Sequence, residues 1–341
     1  MKSRVTVLIP TFNRSGLLRR AIRTVTEQTL KDLQLVISDN ASTDETAVVV
    51  ANVMVEDDRV HYFRHDNNIG MLGNWASLIN RVDTEYFCVL SDDDLLLPEF
   101  LEKAAAVLSV DAELGMCFGR TVIVDSEGLH FGYAPTEMKF GRYIPGQAAV
   151  AMVQAQHPAS TGTLFRTSSF KAAGGFDLLA HYVADLDIML RVAARYPIVY
   201  LEDEVAFHVA HIGNSFKDGS SWFPGLFVLL RNVRNIDELS DKNKNTITKC
   251  LVANAIFSAL FLQFIRYPIS TWRTIRWRCA LKCVATAPTP WIVAFTLPIY
   301  LLKQVSAIVF RSIRSSVCIG AKPSRPVNKH QRHPRIDALL L

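Results

Sequence analysis

Paired cysteines are missing from this chain. Its six cysteines (Cys88, Cys117, Cys250, Cys279, Cys283 and Cys318) contain no CxxC and no cysteine–histidine set at zinc spacing. That excludes a zinc-ribbon or CxxC redox reading and argues against a disulfide framework, so a reducing compartment is expected. A long N-terminal apolar run is missing too. The stretch behind Met1-Lys2-Ser3-Arg4 stops at Pro10, too short for a signal-peptide core. It reads as a first strand, and the body of the chain is expected in the cytoplasm. There is no internal repeat. No recognisable nucleic-acid-binding pattern accompanies the basic residues, which sets nucleic acid aside as a partner.

What is present is length and apolar content. A chain of 341 residues, 50% of them hydrophobic, with mean hydropathy +0.17, is enough for one large domain with an appendage. The 37 basic and 32 acidic residues give a net charge of +5. The excess gathers late, in Arg311, Arg314, Lys322, Arg325, Lys329, Arg332 and Arg335. Such a tail suits an anionic membrane surface or a solvated end, and residues 321–341 are expected to be disordered.

The first half alternates strand and helix signals. Residues 5–9 are a continuous apolar run, as in a strand buried on both faces. Leu17, Ala21 and Val25 recur at helical spacing after Ser15, a candidate N-cap. Residues 33–37 give a second strand. Ser42-Thr43-Asp44-Glu45 then has the capping-box form and opens a helix with Val48 and Val55 on one face. Residues 60–63 and 86–90 are further strands, with a helix at 72–79 between them. Pro98 stands near the start of a helix carrying Leu101, Ala105 and Leu108. This order implies an α/β fold, a parallel sheet with helices on both faces, and ligands beyond the C-terminal strand ends. After Thr121 the pattern is mixed: strands at 122–124, 162–165 and 198–201, and a helix at 185–196.

Ser91-Asp92-Asp93-Asp94 directly follows the strand at 86–90. Alternate carboxylates there can aim at one point while the middle one faces away. Two aspartates with room for water and phosphate oxygens suit Mg²⁺ or Mn²⁺. Asp93 or Asp94 could instead cap the helix near Pro98. A cap needs only one carboxylate, however, and three adjacent ones repel, which favours a cation.

Four stretches in order carry a resemblance: Val7-Leu8-Ile9-Pro10-Thr11-Phe12-Asn13-Arg14, Ser38-Asp39-Asn40-Ala41-Ser42-Thr43-Asp44, Asn68-Ile69-Gly70 with Asn74, and the acidic triplet. Together they resemble the nucleotide-binding half of the family 2 glycosyltransferases, closest to bacterial O-antigen and surface-polysaccharide enzymes of the abequosyltransferase-like kind. The resemblance implies the GT-A fold, a Rossmann-like mixed, mainly parallel sheet flanked by helices. It also implies inverting transfer of a single sugar from a nucleotide-diphosphate donor to an acceptor hydroxyl. On this sequence it implies that Pro10, Thr11 and Asn13 line the nucleoside pocket and that Asp39 hydrogen-bonds the base. Asn68, Asn74 and Asp93 are implied to contact the nucleotide-sugar. Asp92 and Asp94 would contact the ribose and a Mn²⁺ or Mg²⁺ ion, and His211 is implied as a metal or diphosphate ligand. A strand-end carboxylate such as Asp39 can accept from the imide N–H of uracil or thymine, although Asp39-Asn40 is also an ordinary turn pair. Asn68 and Asn74 also suit loop and helix capping. His208, three residues before His211, is the weaker histidine candidate.

Behind Gly174-Gly175-Phe176-Asp177, the family's catalytic carboxylate matches Asp185, ahead of Ile188-Met189-Leu190-Arg191. A carboxylate there can take the proton of an attacking hydroxyl. Ala184 stands where the family commonly has Glu, which leaves Asp187 as an alternative. A helix-start aspartate satisfying free N–H groups is the plain structural reading of either residue.

The expected organisation is a GT-A catalytic domain over 1–218 (a nucleotide-binding half 1–120 and an acceptor half 121–218), a helical membrane-associating region over 219–320, and the tail. Residues 251–264 are apolar but shorter than the roughly 20 residues of a membrane span. Residues 291–310 are long enough, yet Pro298 and Lys303 interrupt them. Trp272, Trp277, Arg273, Arg276 and Arg278 form an interfacial cluster, so monotopic attachment to the inner face of the plasma membrane is expected, with an oligomer interface and a true span as the alternatives. Attachment accords with a lipid-linked glycan acceptor. Two other readings compete: an idle nucleotide-binding scaffold, against which the intact carboxylates speak, and a nucleotidyltransferase, whose Gly-rich basic N-terminal loop is missing.

Overall fold

Seven consecutive buried residues make β1 (Val5–Thr11) a central strand. Its side chains alternate between two cores: Val5, Val7 and Ile9 face one and Leu8 the other, as the period of two requires. We describe residues 3–134, 138–154, 157–210 and 222–266, with 333, 335, 336 and 339, from a computed structural model of the chain. The elements that follow β1 are α1 (Ser15–Thr26), β2 (Leu33–Asp39), α2 (Thr46–Glu56), β3 (Val60–Arg64), α3 (Met71–Ile79), β4 (Tyr86–Val89), β5 (Leu95–Leu96) and α4 (Phe100–Val110). Next come β6 (Met116–Asp125), β7 (His130–Ala134), β8 (Gly141–Tyr143), α5 (Gln147–Gln154), β9 (Thr163–Arg166) and α6 (Thr167–Ala172). A 3-10 segment (Leu178–Val183) leads into α7 (Ala184–Arg195), β10 (Ile198–Ala210), α8 (Trp222–Arg234) and α9 (Asp241–Arg266).

The sheet runs β3-β2-β1-β4-β9-β6-β10-β5, with β7 on β6 and β8 on β10. β1 to β4 pair in parallel. β9 enters antiparallel between β4 and β6, and β10 lies parallel to β6. The sheet is therefore mixed, parallel in the half that the alternating pattern revealed. The antiparallel strands β5, β7 and β8 are too short to carry a readable period.

Local details differ from the sequence expectation. Ser15 lies inside α1, whose N-cap position, Arg14, makes no side-chain cap bond. Asp44 instead accepts from the Ser15 N–H at 2.9 Å and from the N–H and hydroxyl of Thr46, so one carboxylate serves two helix starts. α2 buries Val49 and Val50, leaving Val48 and Val55 60% and 88% exposed. The stripe recognised in the sequence is its outer face.

The region expected to begin a membrane-associating extension at residue 219 is, over α8 and the first part of α9, part of the core. Leu226, Leu229, Val233, Ile247 and Leu251 pack with Ala148 and Met152 of α5 and Met189 of α7. Among the described residues no helix is long and apolar enough to cross a membrane. Trp272, Trp277 and residues 291–310 lie outside the described residues. The expected disorder of 321–341 does not hold at residues 333, 336 and 339. Ile336 and Leu339 are buried with Leu95, Leu97, Phe207 and Val209, and His333 Nε2 meets Glu204 at 3.3 Å.

Candidate active site

The loops at the C-terminal ends of β1, β2 and β4 are tied by side chains. Asn13 has a left-handed backbone (φ 52), which Asn tolerates better than most residues. Its Oδ1 accepts the Thr43 N–H at 2.7 Å, and its own N–H donates to Ser42 Oγ at 2.9 Å. Asp39 is fully buried. Its Oδ1 accepts from the Ser42 N–H, and its Oδ2 accepts from the Tyr62 hydroxyl at 2.5 Å with Arg64 alongside at 3.4 Å. Burial, the hydrogen bond to Asp39 and its negative charge together raise the Tyr62 phenol above its usual range. Asn40 donates to Asn68 Oδ1 at 2.8 Å and accepts from the Ile69 N–H. Asn74, itself buried, bonds to the Ser38 carbonyl at 3.0 Å and accepts from its hydroxyl, pinning α3 to β2.

The acidic triplet sits between β4 and β5. Thr11 donates to Asp92 Oδ2 at 2.8 Å. One Arg14 nitrogen donates both to Asp92 Oδ1 at 3.0 Å and to Asp93 Oδ2 at 2.9 Å. Burial drives the Asp92 carboxyl up to about 6, against the pull of the Arg14 charge. Asp94 turns to the opposite wall. Its Oδ2 accepts from the Thr161 hydroxyl at 2.6 Å, and its Oδ1 accepts from the Val209 N–H at 3.0 Å beside His208 Nδ1 at 3.1 Å. The Asp94 charge lifts His208 to about 9 despite its burial. The expected geometry, Asp92 and Asp94 paired with Asp93 turned away, is not the one observed. Arg14 draws the adjacent pair Asp92 and Asp93 together, while β10 and the residues before β9 take Asp94.

The far wall comes from the turn before α7. His181 holds φ 49 and ψ −128, a conformation costly for a residue with a Cβ and a marker of a constrained site. Asp185, one residue into α7, lines the cleft. Asp187 does not. It is fully buried, its Oδ2 accepting from Arg191 Nε at 2.9 Å and its Oδ1 from Asn232 at 2.9 Å. The cleft has a volume of about 680 Å³ and joins Pro10, Thr11, Asn40 and Asn68 to the triplet and to Asp185.

Residues 6–174 match the profile described as "Glycosyl transferase family 2". This stretch is a family 2 glycosyltransferase domain. Among curated proteins, the chain is 37% identical over 128 residues to the GalNAc(5)-diNAcBac-PP-undecaprenol beta-1,3-glucosyltransferase of Campylobacter jejuni, covering 37% of this chain and 40% of that one. It is 25% identical over 205 residues to an uncharacterised glycosyltransferase of Rickettsia typhi, covering 59% and 62%. The chain thus spans less than two thirds of the length of either relative. Among solved structures, S. aureus TarS residues 1–349 share the fold at TM-score 0.66 and 15% identity, covering 82% of this chain and 79% of that one. The mannosyltransferase PcManGT of Pyrobaculum calidifontis does so at TM-score 0.52 and 14% identity, covering 89% and 86%. The fold is GT-A.

Of the residues implied by the family resemblance, the cleft of this glycosyltransferase domain is lined by Pro10, Thr11, Asn68, Asn74, Asp92, Asp93, Asp94 and Asp185. Asn13 and Asp39 are not in its lining; they brace the loops behind it. His211 lies outside the described residues. Sequence reasoning did not single out Arg14, Thr161, Trp75, His181 or Tyr182, all of which line the cleft. Arg14 was legible, since it closes the first motif. Thr161 and the 181–182 turn carry no local signal.

A divalent ion would need free carboxylate oxygens and a third donor. Here both oxygens of Asp92 and of Asp94 already accept hydrogen bonds, and Arg14 and His208 supply the countercharge. Among the described residues no group of three or more His, Cys, Asp or Glu is placed to hold a metal. As arranged, these side chains do not fit an ion.

Proposed function

We propose that the chain is an inverting glycosyltransferase that moves one sugar from a nucleotide-diphosphate donor to an acceptor hydroxyl. The observation that carries this reading is the shared cleft: Asp185 lines the same cavity as Pro10, Thr11, Asn68 and the acidic triplet. The donor nucleotide lies along the β1, β2 and β4 loop ends. The acceptor enters from the side of the 181–182 turn, where its hydroxyl meets Asp185. The acceptor oxygen attacks the anomeric carbon while Asp185 takes its proton, and the bond to the nucleoside diphosphate breaks on the opposite face. One in-line displacement inverts the anomeric centre. Arg14, held at the diphosphate side by Asp92 and Asp93, supplies positive charge against the charge that develops on the leaving group.

Nucleotide-sugar use is supported by the UDP-GlcNAc and GDP-Man complexes of the two fold relatives. A lipid-linked glycan acceptor is supported by the Campylobacter relative, named as a GalNAc(5)-diNAcBac-PP-undecaprenol glucosyltransferase. The Trp272–Trp277 cluster with Arg273 and Arg276 supports attachment to an anionic membrane surface from the cytoplasmic side, and a role in bacterial surface-polysaccharide assembly accords with both. The resemblance also calls for a divalent metal, which would have to take Asp92 and Asp94 from their present partners.

The test is a transfer assay with a panel of nucleotide-sugars and undecaprenyl-linked acceptors, each run with Mn²⁺ and with chelator. Transfer with inverted product configuration is the expected result. Neither transfer nor donor hydrolysis with any donor would overturn the proposal.

A further inference from the structure

Helix α8 lies beyond both the matched family segment, 6–174, and the expected catalytic boundary at 218, yet it grips the turn that carries Asp185. Three contacts do this, one of them Arg231 Nη2 donating to Asp177 Oδ2 at 2.8 Å. At Gly225 a Cβ would sit 2.1 Å from the Ala180 carbonyl oxygen, so only a glycine lets α8 lie this close to residues 178–183. Asn232 Nδ2 then donates to Asp177 Oδ2 at 3.0 Å and to Asp187 Oδ1 at 2.9 Å. A carboxylate only accepts, so both amide hydrogens of Asn232 are spent on these two residues. Asp177 precedes the 3-10 segment and Asp187 follows Asp185. The bridge therefore closes the ends of the stretch that holds strained His181 and Asp185. Arg191 completes the clamp from α7, bonding Asp187 and the carbonyls of Ala173 and Gly175.

We propose that α8 is part of the active-site scaffold, with Asn232 the positioning residue that fixes Asp185 by bridging Asp177 and Asp187. The effect of the helix falls on the base and on the acceptor wall. The catalytic consequence rests on the reading of Asp185 as the base; the structural consequence does not.

The experiment uses the full chain carrying Asn232→Ala, with Gly225→Ala as a second variant that pushes the helix off the turn. Hydrogen exchange followed by mass spectrometry is expected to show at least tenfold faster exchange in peptides covering 178–187, with peptides from β1, β2 and β4 unchanged. Turnover is expected to fall at least tenfold while KM for the nucleotide-sugar stays within twofold. A merely stabilising residue would lower the melting temperature and leave kcat per folded molecule intact. Unchanged exchange at 178–187 in both variants would overturn the scaffold role, and unchanged kcat with faster exchange would overturn the positioning role. Asp185→Asn run alongside separates the two readings. If that variant transfers normally, the base assignment has failed, and the exchange result still decides whether α8 holds the turn.

Discussion

Asp185 and Asp187 stand two residues apart at the start of α7 and serve opposite faces: Asp185 lines the cleft, while Asp187 is sealed against Arg191 and Asn232. At about 100° per residue a helix turns two such positions to nearly opposite sides. The two aspartates should therefore fail differently. Asp185→Asn is expected to cost about 100-fold or more in turnover with stability within about 0.5 kcal/mol of the parent. Asp187→Ala leaves Arg191 buried without its partner and is expected to cost about 3–5 kcal/mol. Urea unfolding beside single-turnover kinetics checks both; equal stability losses would contradict the assignment.

Arg14 competes with any cation for Asp92 and Asp93, since one of its nitrogens already bonds both. Removing it in Arg14→Ala is expected to tighten Mn²⁺ binding, read by titration calorimetry, and to weaken binding of a nucleoside diphosphate in the absence of metal. Unaltered Mn²⁺ affinity would show that Arg14 does not guard the carboxylates.

Asp44 ties two helix starts and should report on pH. Burial alone would raise its carboxyl, but hydrogen bonds from Thr46 and Ser15 outweigh this and hold it at about 2, below the ordinary 3.8. A folded value below the unfolded one means that its contribution is present above about pH 4 and fades as pH falls towards 2. Asp44→Ala is expected to cost about 1 kcal/mol near neutrality and only a small part of that at pH 2. Denaturant melts at the two pH values test this, and a constant difference would rule out the capping role.

Ile336 and Leu339 cover Phe207 and Val209, the neighbours in β10 of His208, which faces the cleft. Ile336→Ala is expected to destabilise the fold by about 2–4 kcal/mol. A thermal melt unchanged from the parent would mean that this segment does not hold the back of β10.

The parallel half of the sheet was readable because its signals are local. Apolar runs at 5–9 and 33–37 mark β1 and β2, and the four motifs sit at the ends of consecutive strands. The sheet's second half was not, since β5 is two residues long and pairs with β10 across a separation of more than a hundred positions. The helix start before α2 misled on two counts. Asp44 rather than Ser42 makes the cap, and Val48 and Val55 face outward because α2 packs through Val49 and Val50 instead.

The sequence by itself determined the family 2 domain, the strand-end positions of Pro10, Thr11 and the acidic triplet, and Asp185 as a candidate opposite them. These follow from order and spacing along neighbouring residues, which fix where each group leaves its strand or helix. Tertiary packing alone decided that Asp39 is sealed by Tyr62, that Asp94 turns to Thr161 and His208, and that α8 joins the core and spans Asp177 and Asp187. Each of these depends on partners far away in the chain, and a hydrogen bond or a buried face between such partners exists only once the fold has brought them together.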